Sequence, residues 1–224
     1  MLIPLIDSKE SLVSAVKEVG ILPFFKNPIS GFSIAENVAP KAWFSDEEGV
    51  WEWKGPVIRE TGCAYGKLFA GKAVFVDREW FIDLANYRRD GYDLDARYDD
   101  GLASFREKEI WEWVDANGPA EGKSIKTALG YGKTGKKGFD TLMTGLQSRC
   151  YVLVTDFVYE TAKDGRPYGW GVAEYDTPEH FIGEEFKRTV YSRTPEESGE
   201  RIFRHLKSIL PDADETVLRR WMAK

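Results

Sequence analysis

The apolar positions of the chain recur mostly at helical spacing, and strand-like alternation is confined to a few short runs. Ser8 to Val19 reads as a helix capped by Ser8 or Ser11, with Leu12, Val13, Val16 and Val19 on one face and Gly20 as its stop. Ile21-Leu-Pro-Phe-Phe25 reads as an apolar loop or short extended piece rather than a strand, because Pro23 interrupts it. A short helix is predicted from Ser33 to Asn37. Trp51-Glu-Trp53 alternates like a half-buried strand, beside an aromatic cluster with Trp43 and Phe44. Ala73 to Val76 is strand-like, Asp77 can cap, and Trp80, Phe81, Leu84 and Tyr87 recur as a helix. The aspartate- and glycine-rich run from Arg88 to Gly101 reads as a surface linker. It is not a calcium loop, since Tyr98 and Ser104 hold the places that require Gly and Glu.

The second half has a clearer order. Helices are predicted at about Ser104–Ala116, Glu121–Leu129 and Lys137–Ser148, followed by strands at Tyr151–Thr155 and Tyr168–Ala173 around an Asp164-Gly165 turn. Ile110, Trp113 and Val114 point inward from the first helix, and Ile125, Ala128 and Leu129 from the second. Phe139, Leu142, Met143 and Leu146 form the apolar stripe of the third. Three helices and a hairpin are the parts of a winged helix-turn-helix module. Thr177-Pro-Glu179 and Thr194-Pro-Glu196 are two further helix starts, and Val217, Leu218 and Trp221 mark a last helix.

These elements predict an α+β, mainly helical fold: tandem winged-helix-like modules with C-terminal helices. The expected divisions are an N-terminal module over 1–90, an acidic linker over 91–103, a winged module over 104–176, and helices over 177–224 packing on that module. No internal repeat is legible in the sequence. The first residues lack the basic start and long apolar run of a signal peptide, and no apolar stretch reaches membrane-spanning length. Cys63 and Cys150 with His180 and His205 lie too far apart in sequence for standard zinc spacing. A cytoplasmic protein with reduced cysteines, no metal, no cofactor and no membrane partner is expected.

Charge adds one localised feature. The chain carries a net −6, yet residues 122–149 hold Lys123, Lys126, Lys133, Lys136, Lys137 and Arg149 against Asp140 alone, a net +5. Such a cluster at a recognition helix suits phosphate contacts, and Thr141, Thr144 and Ser148 on the polar face suit a close groove approach. No side chain there offers a bidentate base reader, so double-stranded DNA would be bound with little sequence preference. The alternative is that these lysines fill solvated positions. Gly130-Tyr-Gly-Lys-Thr-Gly135 matches a dinucleotide fingerprint only literally: it follows a helix, not a strand. Glu52, between two tryptophans, is the candidate carboxylate for acid or base chemistry.

Seven stretches resemble the AlkZ-related proteins. They are Leu22-Pro-Phe-Phe25, Gly31-Phe-Ser33, Trp51-Glu-Trp-Lys54, Lys67-Leu-Phe69, the run from Gly138 to Gln147, Tyr168-Gly-Trp-Gly171 and Thr177-Pro-Glu179. These small bacterial proteins are similar to the winged-helix DNA glycosylases that unhook interstrand crosslinks. The resemblance implies tandem winged-helix modules and association with DNA, and it does not by itself imply glycosylase activity. The crosslink enzymes position their attacking water with Gln-x-Gln or Gln-x-Asp. Here the single glutamine, Gln147, is followed by Ser148-Arg149, so both motifs are absent. Two other readings stay open: a noncatalytic interaction or regulatory module, and a glycosylase using another carboxylate such as Glu52.

Overall fold

The computed structural model describes residues 3–43, 48–161 and 167–223. Phe44 and the expected turn at Asp164-Gly165 lie outside the described residues. The chain opens with α1 (Lys9–Val19), whose Ser8–Ser11 capping box satisfies two end donors while Leu12, Val13, Val16 and Val19 are buried. It continues through β1 (Ile21–Pro23), α2 (Ile34–Asn37), α3 (Pro40–Trp43), α4 (Lys54–Thr61), β2 (Ala64–Phe69), β3 (Lys72–Val76) and α5 (Arg78–Arg89).

Three local expectations need correction. Ile21–Pro23 is a strand: it occupies a sheet edge, where proline's missing N–H leaves no ladder bond broken. Trp51-Glu-Trp53 is a turn, with the Glu52 and Trp53 amides both donating to Gly49 O at 3.0 Å. The run expected as a linker holds α6 (Leu94–Asp99), capped by Asp93 and anchored by buried Leu94.

The second half contains α7 (Phe105–Asn117), β4 (Ala120–Glu121), α8 (Gly122–Ala128), α9 (Phe139–Ser148), β5 (Leu153–Thr161) and β6 (Pro167–Asp176). Of the predicted inward stripes, Ile110, Val114, Ile125, Phe139, Met143 and Leu146 are buried. Leu142 is half-buried, and Ala128 is exposed. The chain ends in α10 (Pro178–Phe181), α11 (Glu184–Thr189), α12 (Pro195–Ile209) and α13 (Glu215–Met222). Among the described residues no helix is long and apolar enough to cross a membrane.

All six strands form one antiparallel sheet in the order β1-β3-β2-β5-β6-β4. This order exposes a repeat that the sequence hides. Each half runs helix, strand, helices, hairpin, and in each half the first strand pairs with the last. The two hairpins meet through their first strands, at Tyr65 opposite Val154, so the sheet order is symmetric about that contact.

Two apolar clusters flank this junction. One gathers α6 to α9 with Tyr151 and Val152. The other gathers the N-terminal half, the start of β5 and the C-terminal helices. Of the C-terminal helices, α12 packs along α5. The reason is a buried polar seam: Ser198 Oγ donates to Asp83 Oδ1 at 2.9 Å, Arg201 Nε donates to Asp83 Oδ2 at 2.8 Å, and Asn86 Nδ2 donates to Ser198 Oγ at 3.0 Å. Asp83, Ser198 and the Asn86 amide N–H bond one another while Ile202, Phe203, Leu206 and Ile209 bury the helix's apolar face.

Candidate functional site

The basic window is real in sequence but largely internally matched in space. Lys136 Nζ donates to both Glu109 oxygens at 2.6 and 2.7 Å, and Lys126 pairs with Asp140 at 2.9 Å. Arg149 pairs with Glu107, and Lys137 Nζ donates to the carbonyls of Gly132 and Lys133. Lys123 and Lys133 remain exposed, and neither ammonium has a partner among the described residues. Glu107 and Glu109 lie on α7, outside the counted window, and including them lowers its net charge from +5 to +3. Burial works against the Glu107 carboxylate, but hydrogen bonds from the Ser104 backbone and the Arg149 charge hold its pKa below the usual range.

The polar face of α9 is also partly occupied. Thr144 Oγ1 donates to Asp140 O at 2.7 Å and accepts from Lys67 Nζ at 3.4 Å, and Ser148 Oγ donates to Lys67 O at 3.0 Å. Helix α9 therefore leans on β2 through two of the three side chains expected in a groove, leaving Thr141 exposed. The glycines of the 130–135 loop serve its own turn. A Cβ on Gly135 would collide with Gly130 O, the carbonyl that accepts from the Lys136 amide at 2.8 Å.

Glu52 has a local role: its Oε2 accepts from the Gly49 amide at 2.9 Å and closes the turn that launches α4. The centre beside it was missed by sequence reasoning. Lys54, the first residue of α4, is only 8% exposed, and its Nζ lies 4.2 Å from the Phe157 ring centroid and 5.5 Å from that of Trp51. Burial pushes this amine down to about 8, with the Glu52 charge opposing. The available signal was Pro56 in the first turn of a helix, which would have placed Lys54 at the helix start.

The surroundings are tightly fixed. Arg59 pairs with Asp156 across the α4–β5 contact, and Asp156 Oδ1 also accepts from the Phe157 amide at 2.7 Å. A Cβ on Gly55 would lie 2.8 Å from that same oxygen, so a larger residue there would push the Asp156 carboxylate off its partners. Tyr159 Oη is within 3.1 Å of both Trp51 O and Glu52 O, donating to the turn, and burial followed by the Glu52 charge pushes its phenol up to about 12. Trp51 packs 5.1 Å from Trp43 and 6.0 Å from Phe25. Phe25 and Trp43 in turn line a cleft of about 600 Å³ with Lys26 and Lys72.

The histidines and cysteines are dispersed. His205 stacks on Trp80 at 3.9 Å with Nε2 against Val19 O, and His180 Nδ1 meets Asp176 at 3.1 Å. Both cysteines are buried, and among the described residues no group of three His, Cys, Asp or Glu side chains is placed to hold a metal.

A family described as AlkZ related matches residues 6–223. The chain belongs to the AlkZ-related family. The match covers both halves of the sheet and the C-terminal helices, so family membership embraces the whole repeat and the α4–β5 centre. No curated protein and no solved structure matches the chain. Gln147, the one glutamine in this AlkZ-related chain, is 2% exposed: its Oε1 accepts from the Lys67 amide at 3.0 Å and its Nε2 donates to Met143 O at 3.3 Å.

Proposed function

We propose that this AlkZ-related protein associates with duplex DNA through two winged-helix-like modules, within residues 1–90 and 104–176, and that it lacks the glutamine chemistry of crosslink-unhooking glycosylases. The observation that carries the reading is the repeated order of helix, strand, helices and hairpin, with the first strand returning to the last in each half. In a winged module the helix before the hairpin enters a groove. Here α4 and α9 hold that place. Family membership supports the association with DNA, and the one glutamine, Gln147, is buried with its amide oxygen on the Lys67 amide and its Nε2 on Met143 O.

The cations available to phosphate are fewer than composition promises. Lys123 and Lys133 have no partner among the described residues, while Lys126, Lys136 and Arg149 carry carboxylate partners. This matching favours, as a second reading, a protein-interaction module whose wing and helix face a partner chain. Fluorescence anisotropy with a labelled duplex, titrated from low to physiological salt, separates the two. DNA association requires binding that weakens steeply as salt rises, by about 0.9 in log–log slope for each phosphate neutralised. Absence of binding at low salt would sink the DNA reading and leave the interaction module.

A further inference from the structure

A buried lysine with no bonded carboxylate is costly, and Lys54 is such a residue, with the Glu52 charge opposing its desolvation. It is 8% exposed, and among the described residues no carboxylate, carbonyl or hydroxyl bonds its ammonium. Its neighbours are ring faces, Phe157 at 4.2 Å and Trp51 at 5.5 Å. These rings offset part of the desolvation cost but form no hydrogen bond. A methionine would fill the same space without that cost, so packing alone gives no reason for an amine here. The molecule's other buried cations differ in kind. Arg89 has Glu179 as its partner, and Arg88, over Phe69, carries a guanidinium that stays protonated and cannot act as a nucleophile. With burial pushing the amine to about 8, Lys54 has a far larger neutral fraction near neutral pH than an ordinary lysine.

We propose that Lys54 is an amine nucleophile that condenses with an aldehyde, the ring-opened deoxyribose of an abasic site in DNA. The choice of a DNA aldehyde rests on the DNA reading above. Lys54 opens α4, the helix that precedes the hairpin in the first repeat as α9 does in the second. Trp51 bridges the amine to Trp43 and Phe25, which line a cleft with Lys26 and Lys72. The two lysines lining that cleft suit a sugar flanked by phosphodiesters. In the reaction the neutral Nζ forms a bond to C1′, and the aldehyde oxygen leaves as water carrying the two amine protons. The product is an imine, and no oxidant or reductant is consumed.

The test uses the full chain, a duplex with one abasic site, and sodium borohydride at pH 8. Borohydride reduces the imine to a stable secondary amine, seen as a covalent complex on a denaturing gel. The proposal requires a complex whose adduct maps by mass spectrometry to Lys54 and which falls at least tenfold in Lys54→Met, with circular dichroism matching the wild type. A second arm treats DNA-free protein with glycolaldehyde and cyanoborohydride, where Lys54 should be alkylated ahead of the surface lysines. Trapping unchanged in Lys54→Met, or an adduct on another lysine, overturns the proposal. No trapping despite salt-dependent binding to the same duplex overturns it while leaving the DNA reading standing. Neither trapping nor binding removes the DNA reading with it. In that case selective glycolaldehyde labelling of Lys54 overturns only the abasic-site substrate, and unselective labelling overturns the nucleophile itself.

Discussion

Gln147 Oε1 accepts a hydrogen bond from the Lys67 backbone amide at 3.0 Å, tying α9 of the second repeat to β2 of the first. The same strand receives Ser148 Oγ on Lys67 O, so two adjacent side chains of α9 read the backbone of one β2 residue. Gly66 lets this happen, since a Cβ there would stand 3.1 Å from the Gln147 amide oxygen. Replacing Gln147 with Leu should destabilise the fold by about 1–3 kcal/mol, because a buried donor loses its acceptor. Urea unfolding reads this directly, and an unchanged midpoint would show that the amide finds water instead.

Arg89 is a comparable clamp, with Nη1 on Glu179 at 2.6 Å, Nη2 on Cys150 O at 2.8 Å and the guanidinium over Tyr151. Its side chain is 1% exposed and that of Glu179 is 23% exposed. Glu179→Ala should cost about 3 kcal/mol, the low end for breaking a buried pair, since the acid keeps some hydration. A loss under about 0.5 kcal/mol in denaturant melts would refute the clamp.

The core of α9 ranks its own side chains. Leu146 is fully buried and Leu142 only half-buried. Leu146→Ala should therefore cost about 2–5 kcal/mol and Leu142→Ala clearly less. Equal losses in paired unfolding curves would contradict this burial.

The ion-pair pattern predicts unequal lysines in DNA binding. Lys123→Ala with Lys133→Ala should lower the log–log salt slope by about 1.8, because neither ammonium has a partner among the described residues. Lys136→Ala should change the slope little, since its charge is already matched by Glu109. A larger effect from Lys136 than from the exposed pair would show that the ion pair opens on binding.

Lys54 gives a pH signature. Its folded pKa, about 8, lies below the ordinary lysine value, so the unfolded chain binds more protons between the two. The stability penalty is full below about pH 8 and fades as pH rises toward the unfolded value. Lys54→Met should therefore be more stable than wild type at pH 7, with the gain shrinking by pH 10. Taking the difference between the two proteins cancels the opposing titration of the buried cysteines and Tyr159, whose groups burial pushes up to about 12. A pH-independent difference would mean that the amine is fully solvated.

The helices whose ends are chemically marked were legible in the chain. Ser8, Asp77, Ser104, Thr194 and Asp214 all accept from the first turn, and each was followed by a legible apolar stripe. Capping and periodicity are local, acting within a few residues, which is why they can be read from the chain alone. Tertiary structure decided the rest. Pairing of β2 with β5 joins Tyr65 to Val154, and no residue near either one encodes that partner. The seat of α12 on α5 depends on Asp83 meeting Ser198 and Arg201 across more than a hundred residues. Glu107 and Glu109 cancel much of a basic window that the linear charge count left uncancelled. The burial of Lys54 arises only when Phe157 of a distant strand closes over α4. Charge and burial depend on through-space neighbours, so the α+β class was legible in the chain while the state of each charged group was not.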